Sequence, residues 1–178
     1  SYFENPPGLQ MLHCIENSAE GGESLFVDAY NAMEKLRSSN YPSRFFDALC
    51  KVKVPYEFKG KERHYFFESP IVHVDKDTCK ILSLRYSPPF QATIQAGRYD
   101  SSLVQDFYMA LKTYQDILHE EDRYLSFKMK PGDVVIFRNT RILHARKSFY
   151  FPNRHSSRYI IGTYAEYDDF ASLIRFKN

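Results

Sequence analysis

The strongest constraint on the fold is a succession of short runs rich in β-branched and aromatic residues. They read LQMLHCI (9–15), VKVPYEF (52–58), HYFFE (64–68), PIVHVD (70–75), CKILSLRYS (79–87), YLSFKM (124–129), GDVVIFR (132–138) and RYIIGTYAE (158–166). Runs of this length and chemistry suit strands that cover a core with one or both faces. Between them lie three stretches with helical spacing. After a short strand starting at Leu25, residues 25–39 place Phe26, Tyr30, Met33 and Leu36 or Arg37 three or four apart. YPSRFFDALC (41–50) has a proline at a helix-start position and an apolar face of Phe45, Phe46 and Leu49. Residues 102–118 repeat Leu103, Phe107, Leu111, Tyr114 and Leu118, with Ser102 and Gln105 as an expected capping box. A fourth, short helix is expected from DDFASLIRF (168–176). Turns are expected from the glycine pair in 18–24 and from DKDT (75–78), which makes the flanking runs a hairpin. Short strands with helices inserted between them predict a mainly β architecture, a barrel or jelly roll with decorations.

Composition narrows the function classes. A chain of 178 residues is one ordinary domain. Fourteen Tyr and fifteen Phe without a Trp suit a sheet protein or an aromatic-lined pocket. The net charge is +2 and the basic residues are scattered, so no nucleic-acid partner is expected. Cys14, Cys50 and Cys79 are odd in number and far apart, which argues for a reducing compartment and against a disulfide framework or a cysteine zinc site. No run approaches the roughly 20 apolar residues of a membrane span, so no membrane partner is expected either.

Chemistry concentrates in the C-terminal third. His144 ends an apolar strand-like run in KPGDVVIFRNTRILHARKSF, and Arg158 follows in SSRYIIGTYAEYDD. A lone imidazole can take one position on a metal. A strand-borne guanidinium can hold a carboxylate through a two-pronged fork. Mononuclear Fe(II) oxygenases use two histidines and one carboxylate on one face of the iron. Each residue also has an ordinary reading: His144 as a half-buried histidine satisfying a hydrogen bond, Arg158 as a solvated strand side chain. A His-x-Asp tripeptide occurs at His73-Val74-Asp75. Asp75 opens the expected hairpin tip, so this pair reads as a chance match and not as metal ligands.

Three segments carry a resemblance: ENPPGLQMLHCIENSAEGGESLFVDAYNAMEKLR, FKMKPGDVVIFRNTRILHARKSF and SRYIIGTYAEYDDFASLIR. In order and spacing, over nearly the whole chain, they resemble the γ-butyrobetaine hydroxylase and trimethyllysine hydroxylase branch of the TauD-like dioxygenases, with the fungal mitochondrial members nearest in character. Residues 51–100 are the least similar. The resemblance implies a double-stranded β-helix (jelly roll), Fe(II), 2-oxoglutarate as co-substrate and ascorbate as reductant. It implies hydroxylation of a trimethylammonium substrate of the carnitine-biosynthesis type, in a mitochondrial or alternatively a cytoplasmic setting. A homodimer is among the assemblies such enzymes form. His144 matches the distal iron histidine. Arg158 matches the arginine that pairs with the far carboxylate of 2-oxoglutarate, Ser24 a hydroxyl supporting that carboxylate, and Leu12 a residue packing along the co-substrate. Tyr164 matches a tyrosine of the trimethylammonium cage, a role that cation–π attraction to a quaternary ammonium makes physical. Its plain alternative is an ordinary strand aromatic.

In that family the His-x-Asp motif lies just upstream of PPGLQ. The expectation is therefore a catalytic domain over 1–178, cut after its first two iron ligands and inactive by itself. Two departures weigh on the reading. Phe137-Arg138-Asn139 puts an arginine where the family often has aspartate, and Tyr86-Ser87-Pro88-Pro89 replaces an asparagine pair. The second lies where, by the resemblance, γ-butyrobetaine hydroxylase helps bind the carboxylate of its substrate. The rival expectation is a non-catalytic jelly-roll relative with a binding or structural role. A cupin-like or sugar-binding jelly roll leaves the spacing of Ser24, His144 and Arg158 unexplained.

Overall fold

The structure, a computed structural model, describes residues 2–38 and 40–177. Along the chain come strands β1 (Leu9–Asn17), β2 (Glu20–Gly21) and β3 (Ser24–Asp28), then helices α1 (Ala29–Arg37) and α2 (Ser43–Lys51). Two hairpins follow, β4 (Val54–Lys59) with β5 (His64–Ser69) and β6 (Val72–Val74) with β7 (Ile81–Leu84). Helix α3 (Ser101–Leu118) leads to β8 (Tyr124–Phe127), β9 (Val134–Arg138), β10 (Ile142–Arg146), β11 (Phe149–Tyr150), β12 (Arg158–Ala165) and α4 (Tyr167–Lys177). The expected strands and helices are present, in a mainly β chain with four helices. The end of the expected first helical run, Ser39, lies outside the described residues.

Two compact units divide the chain. A helical unit takes Asp28–Arg123 together with the strap that ends at Pro6. Its core is built by the spacing read above: Met33 and Leu36 of α1, Leu49 of α2, and Phe107, Tyr114 and Ile117 of α3 are fully buried. Burying each such side chain contributes roughly 1.5–3 kcal/mol. The Asp28 carboxylate starts α1 by accepting from the amides of Tyr30 (3.0 Å) and Asn31 (3.2 Å). The Tyr114 hydroxyl, deep in this core, donates to the Ala29 carbonyl at 3.1 Å. Helix α3 corrects one expectation. Its N-cap is Asp100, whose carbonyl accepts from Val104 N at 3.0 Å, and Ser102 already lies inside the first turn. Ser102 and Gln105 therefore form no capping box.

The sheet unit takes Pro7–Val27 and the chain from Tyr124 onward. One sheet has the order β12-β1-β9, the other β10-β3-β8, and β2 pairs with β11. All the assigned pairings are antiparallel. The two sheets meet through aromatic rings: Phe26 of β3 packs edge-on to Phe137 of β9 (5.3 Å) and is stacked with Phe127 of β8 (5.7 Å). A bulge interrupts β1, so that Cys14 pairs with Ile160 but Glu16 pairs with Tyr159 and Asn17 with Arg158. The segment 18–24, expected to be a plain turn, contains β2. Its two glycines take left-handed φ angles of +73° and +74°, at Gly21 and Gly22, where a side chain would be strained.

Candidate active site

Alternation along the strands decides which side chains share the interior of the sheet unit. Residues directly opposite each other in an antiparallel pair lie on one face. On β1 the buried Gln10 faces Phe137 of β9 and Tyr164 of β12, and Leu12 faces Val135 and Gly162. Arg158 begins β12 on the same face, two, four and six residues before Ile160, Gly162 and Tyr164. From the other sheet, Ser24 is buried and shares a face of β3 with Phe26, the ring that packs on Phe137. His144 lies in the middle of β10, its ring centroid 5.0 Å from that of Phe137. Leu12, Arg158 and Tyr164 thus share the sheet face of Phe137, Ser24 shares the β3 face of Phe26, and His144 lies beside the Phe137 ring. The expectation that His144 ends the VVIF run is not met. A turn at 139–141 intervenes, and the histidine sits on a strand of its own.

Electrostatics set the protonation of this interior. His144 keeps an open edge to solvent, yet desolvation by its neighbours pushes its pKa below the ordinary histidine value. The imidazole is therefore held neutral, the form that can donate a lone pair to a metal. Arg158 is pushed below its ordinary value, first by desolvation and then by repulsion from Arg146. The Cys14 thiol is pushed up, chiefly by burial and further by Asp133, against a lowering from Arg158. Among the described residues, three buried polar atoms have no hydrogen-bond partner: Gln10 Oε1, Asn17 Oδ1 and Arg158 Nε. All three belong to β1 and β12, and Asn17 pairs directly with Arg158. Buried polar atoms are ordinarily satisfied, so the Asn17–Arg158 pair, with Gln10 at the far end of the same strands, suits a site completed by a polar ligand.

The donor set falls short of an iron centre. Among the described residues, no three His, Cys, Asp or Glu side chains come together as a metal site. His144 alone supplies one donor. His73 and Asp75 are used otherwise, and they lie in the helical unit. His73 Nε2 is 2.8 Å from the buried Ser69 hydroxyl, and Asp75 accepts from the amides of Asp77 and Thr78 and from the Thr78 hydroxyl. The aspartate closes a hairpin turn, as its position in DKDT predicts. Arg138 does not crowd His144. It follows Phe137 by one residue and so points to the opposite face, where its guanidinium bonds Thr140 and lies 5.3 Å from the Tyr167 ring.

Residues 1–164 match the family described as taurine catabolism dioxygenase TauD, TfdA family. The chain belongs to this family. Human gamma-butyrobetaine dioxygenase is 34% identical over 182 aligned positions, covering 97% of the chain and 44% of the relative. Mouse mitochondrial trimethyllysine dioxygenase is 28% identical over 179 positions, covering 98% and 40%. Among solved structures, an asparagine oxygenase in complex with Fe(II), 2S,3S-3-hydroxyasparagine and succinate superposes with a TM-score of 0.68 at 16% identity, over 93% of this chain and 47% of that one. The fold is thus the double-stranded β-helix of TauD-family oxygenases. The chain spans about two-fifths of the length of these curated relatives. No helix among the described residues is long and apolar enough to cross a membrane.

Reading the sequence alone missed Phe137, the ring between the two sheets, and Gly22, Phe149 and Arg146, which surround Arg158. The signals were present: a Phe two residues beyond Val135 on an alternating strand, a glycine pair, and an aromatic five residues after His144.

Proposed function

We propose that this chain is part of an Fe(II)- and 2-oxoglutarate-dependent hydroxylase acting on a trimethylammonium substrate such as γ-butyrobetaine or trimethyllysine. The single observation that carries the reading is a shared face: Leu12, Arg158 and Tyr164 lie on the side of their sheet that carries Phe137, whose ring meets His144 and Phe26, and Ser24 lies on the Phe26 side of β3. The relatives' names support the substrate class, and that of the mouse relative supports a mitochondrial setting over a cytoplasmic one. In this reading His144 supplies one neutral imidazole donor, and the remaining ligands come from outside the described residues. Arg158 receives the far carboxylate of 2-oxoglutarate, where a bidentate guanidinium fixes orientation as well as charge. Ser24 donates a hydroxyl to the same group. Leu12 offers the apolar wall along the co-substrate's methylenes. Tyr164, more than half exposed, turns an aromatic face toward a quaternary ammonium that cannot hydrogen-bond. These residues bind and orient, which is how a protein contributes to a reaction whose hard chemistry belongs to a cofactor.

The test is succinate release from 2-oxoglutarate by the full-length protein with Fe(II), ascorbate and γ-butyrobetaine or trimethyllysine. Substrate-stimulated turnover should be abolished by His144→Ala. Arg158→Ala should raise the KM for 2-oxoglutarate about 30-fold or more, as expected when a charged partner is removed from a buried pair. No turnover, together with no iron retained by the full-length protein, would leave a jelly-roll relative with a binding or structural role.

A further inference from the structure

An arginine that must receive a ligand is ordinarily aimed by carboxylates or carbonyls of the protein. Arg158 lacks such an aim: it makes no ion pair among the described residues, and its Nε is buried without a partner. What lies beside it is an aromatic ring. The Arg158 guanidinium carbon is 5.3 Å from the centroid of Phe149, and that of Arg146 is 4.3 Å from the same centroid. Two guanidinium groups therefore share one phenyl ring, and each repels the other. Glu20, opposite Tyr150 across β2–β11, is engaged by the Tyr150 hydroxyl.

The ring itself is fixed by backbone. Phe149 pairs with Gly21 across β2–β11, and Gly22 N donates to the Ser148 carbonyl at 2.9 Å. Gly22 fits here by its backbone: with φ at +74° a side chain would be strained, and a Cβ would crowd Phe149 Cβ at 3.1 Å while only touching Arg158 Nε at 3.4 Å.

We propose that Phe149 is a positioning residue, whose ring takes the place of a protein counter-ion and holds Arg158 ready for the carboxylate of an anionic co-substrate. The inference rests on the assignment of Arg158 to 2-oxoglutarate made above. A ring suits the task better than a carboxylate would. An acid of the protein would neutralise Arg158 and compete with the ligand, whereas a quadrupole attracts the cation and leaves its N–H fork free. The second guanidinium, on Arg146, keeps the empty pocket cationic and so favours occupation by an anion.

Calorimetric titration of the full-length, Mn(II)-loaded protein tests this without turnover. Two ligands are compared: 2-oxoglutarate and 2-oxopentanoate, which keeps the 2-oxo acid head and lacks the distal carboxylate. Phe149→Leu should weaken 2-oxoglutarate about 2- to 5-fold, the scale of an exposed cation–π contact. It should leave 2-oxopentanoate unchanged, and Phe149→Tyr should bind both acids as the parent does. Phe149→Met serves as a second filler of the same space should the leucine variant fold poorly. Unchanged 2-oxoglutarate affinity in a folded Leu or Met variant overturns the proposal, as does an equal loss for both acids. Arg158→Ala separates the two claims: if it binds 2-oxoglutarate like the parent, the co-substrate assignment itself falls. If it weakens binding while the ring variants do not, only the role of Phe149 falls.

Discussion

The helical unit and the sheet unit bury their apolar side chains to very different degrees. Among the described residues, eleven of the twelve largest fully buried side chains belong to the helical unit and one, Met129, to the sheet unit. Among the described residues, the exposed large hydrophobics show the reverse, with thirteen of nineteen in the sheet unit, including Val134, Ile136, Tyr159, Ile161 and Tyr164. The unit that carries the candidate site is thus the less tightly packed one. Of those five side chains only Tyr164 shares the face of Phe137; Val134, Ile136, Tyr159 and Ile161 alternate with Val135, Phe137, Ile160 and Gly162 and so lie on the outer face of their sheet. Cohesion is concentrated where no chemistry is expected, in line with the general finding that binding elements come from the less stable parts of a fold.

Substitutions can break or sharpen this contrast. The largest effect is expected from Phe107→Ala in the helical core, a loss of about 3–5 kcal/mol read as a lower urea midpoint. Ile136→Ala, on the exposed side of the sheet unit, should change it by no more than about 0.5 kcal/mol. Comparable losses at the two positions would erase the difference. Gly22→Ala comes next. It forces a Cβ onto a backbone with φ of +74° and into contact with Phe149, at a cost of about 1–2 kcal/mol for the backbone alone. Its signature would be a weaker affinity for 2-oxoglutarate beside the lower stability. Asp28→Ala removes the cap of α1 and should cost about 1 kcal/mol, seen in thermal unfolding followed by circular dichroism.

The smallest effect concerns pH. His73 and His144, one in each unit, are both held below the ordinary histidine value. Desolvation is the main cause in each case, with Arg85 adding to it at His73. The unfolded chain therefore takes up these protons first, near pH 6.5. Stability should be unaffected by them above that pH and fall as the pH drops below it toward the folded values. His73→Gln and His144→Gln should each flatten part of that fall in a urea midpoint-against-pH series. A series left unchanged by both would sink the assignment.

Much of this architecture was legible in the sequence because periodicity speaks loudly where burial is one-sided. The α3 face of Phe107 and Tyr114 and the β1 run LQMLHCI are cases of this. The edges were less legible. The start of α3 was misplaced because serine and glutamine at the right interval imitate a cap that Asp100 occupies. Strands β2 and β11 are two residues long, too short to show a period. β10 was hidden by the basic residues around it, so His144 looked like the end of another strand. The site residues came from likeness of motif, but the faces they share depend on register, and register is a property of paired strands that no single run reveals. Arg138 teaches the same lesson. In the sequence it stood only as a departure from the family's aspartate; the alternation after Phe137 turns it outward.

The irregularity in β1 has a consequence for charge. With unbroken pairing beyond Cys14 and Ile160, Ile15 would face Tyr159 and Glu16 would face Arg158. The extra residue moves Glu16 opposite Tyr159, where its carboxylate takes the Ser157 hydroxyl, and sets the neutral Asn17 beside the arginine. One inserted residue thus spares the guanidinium an internal salt of its own making, and the pocket keeps its positive charge for a guest.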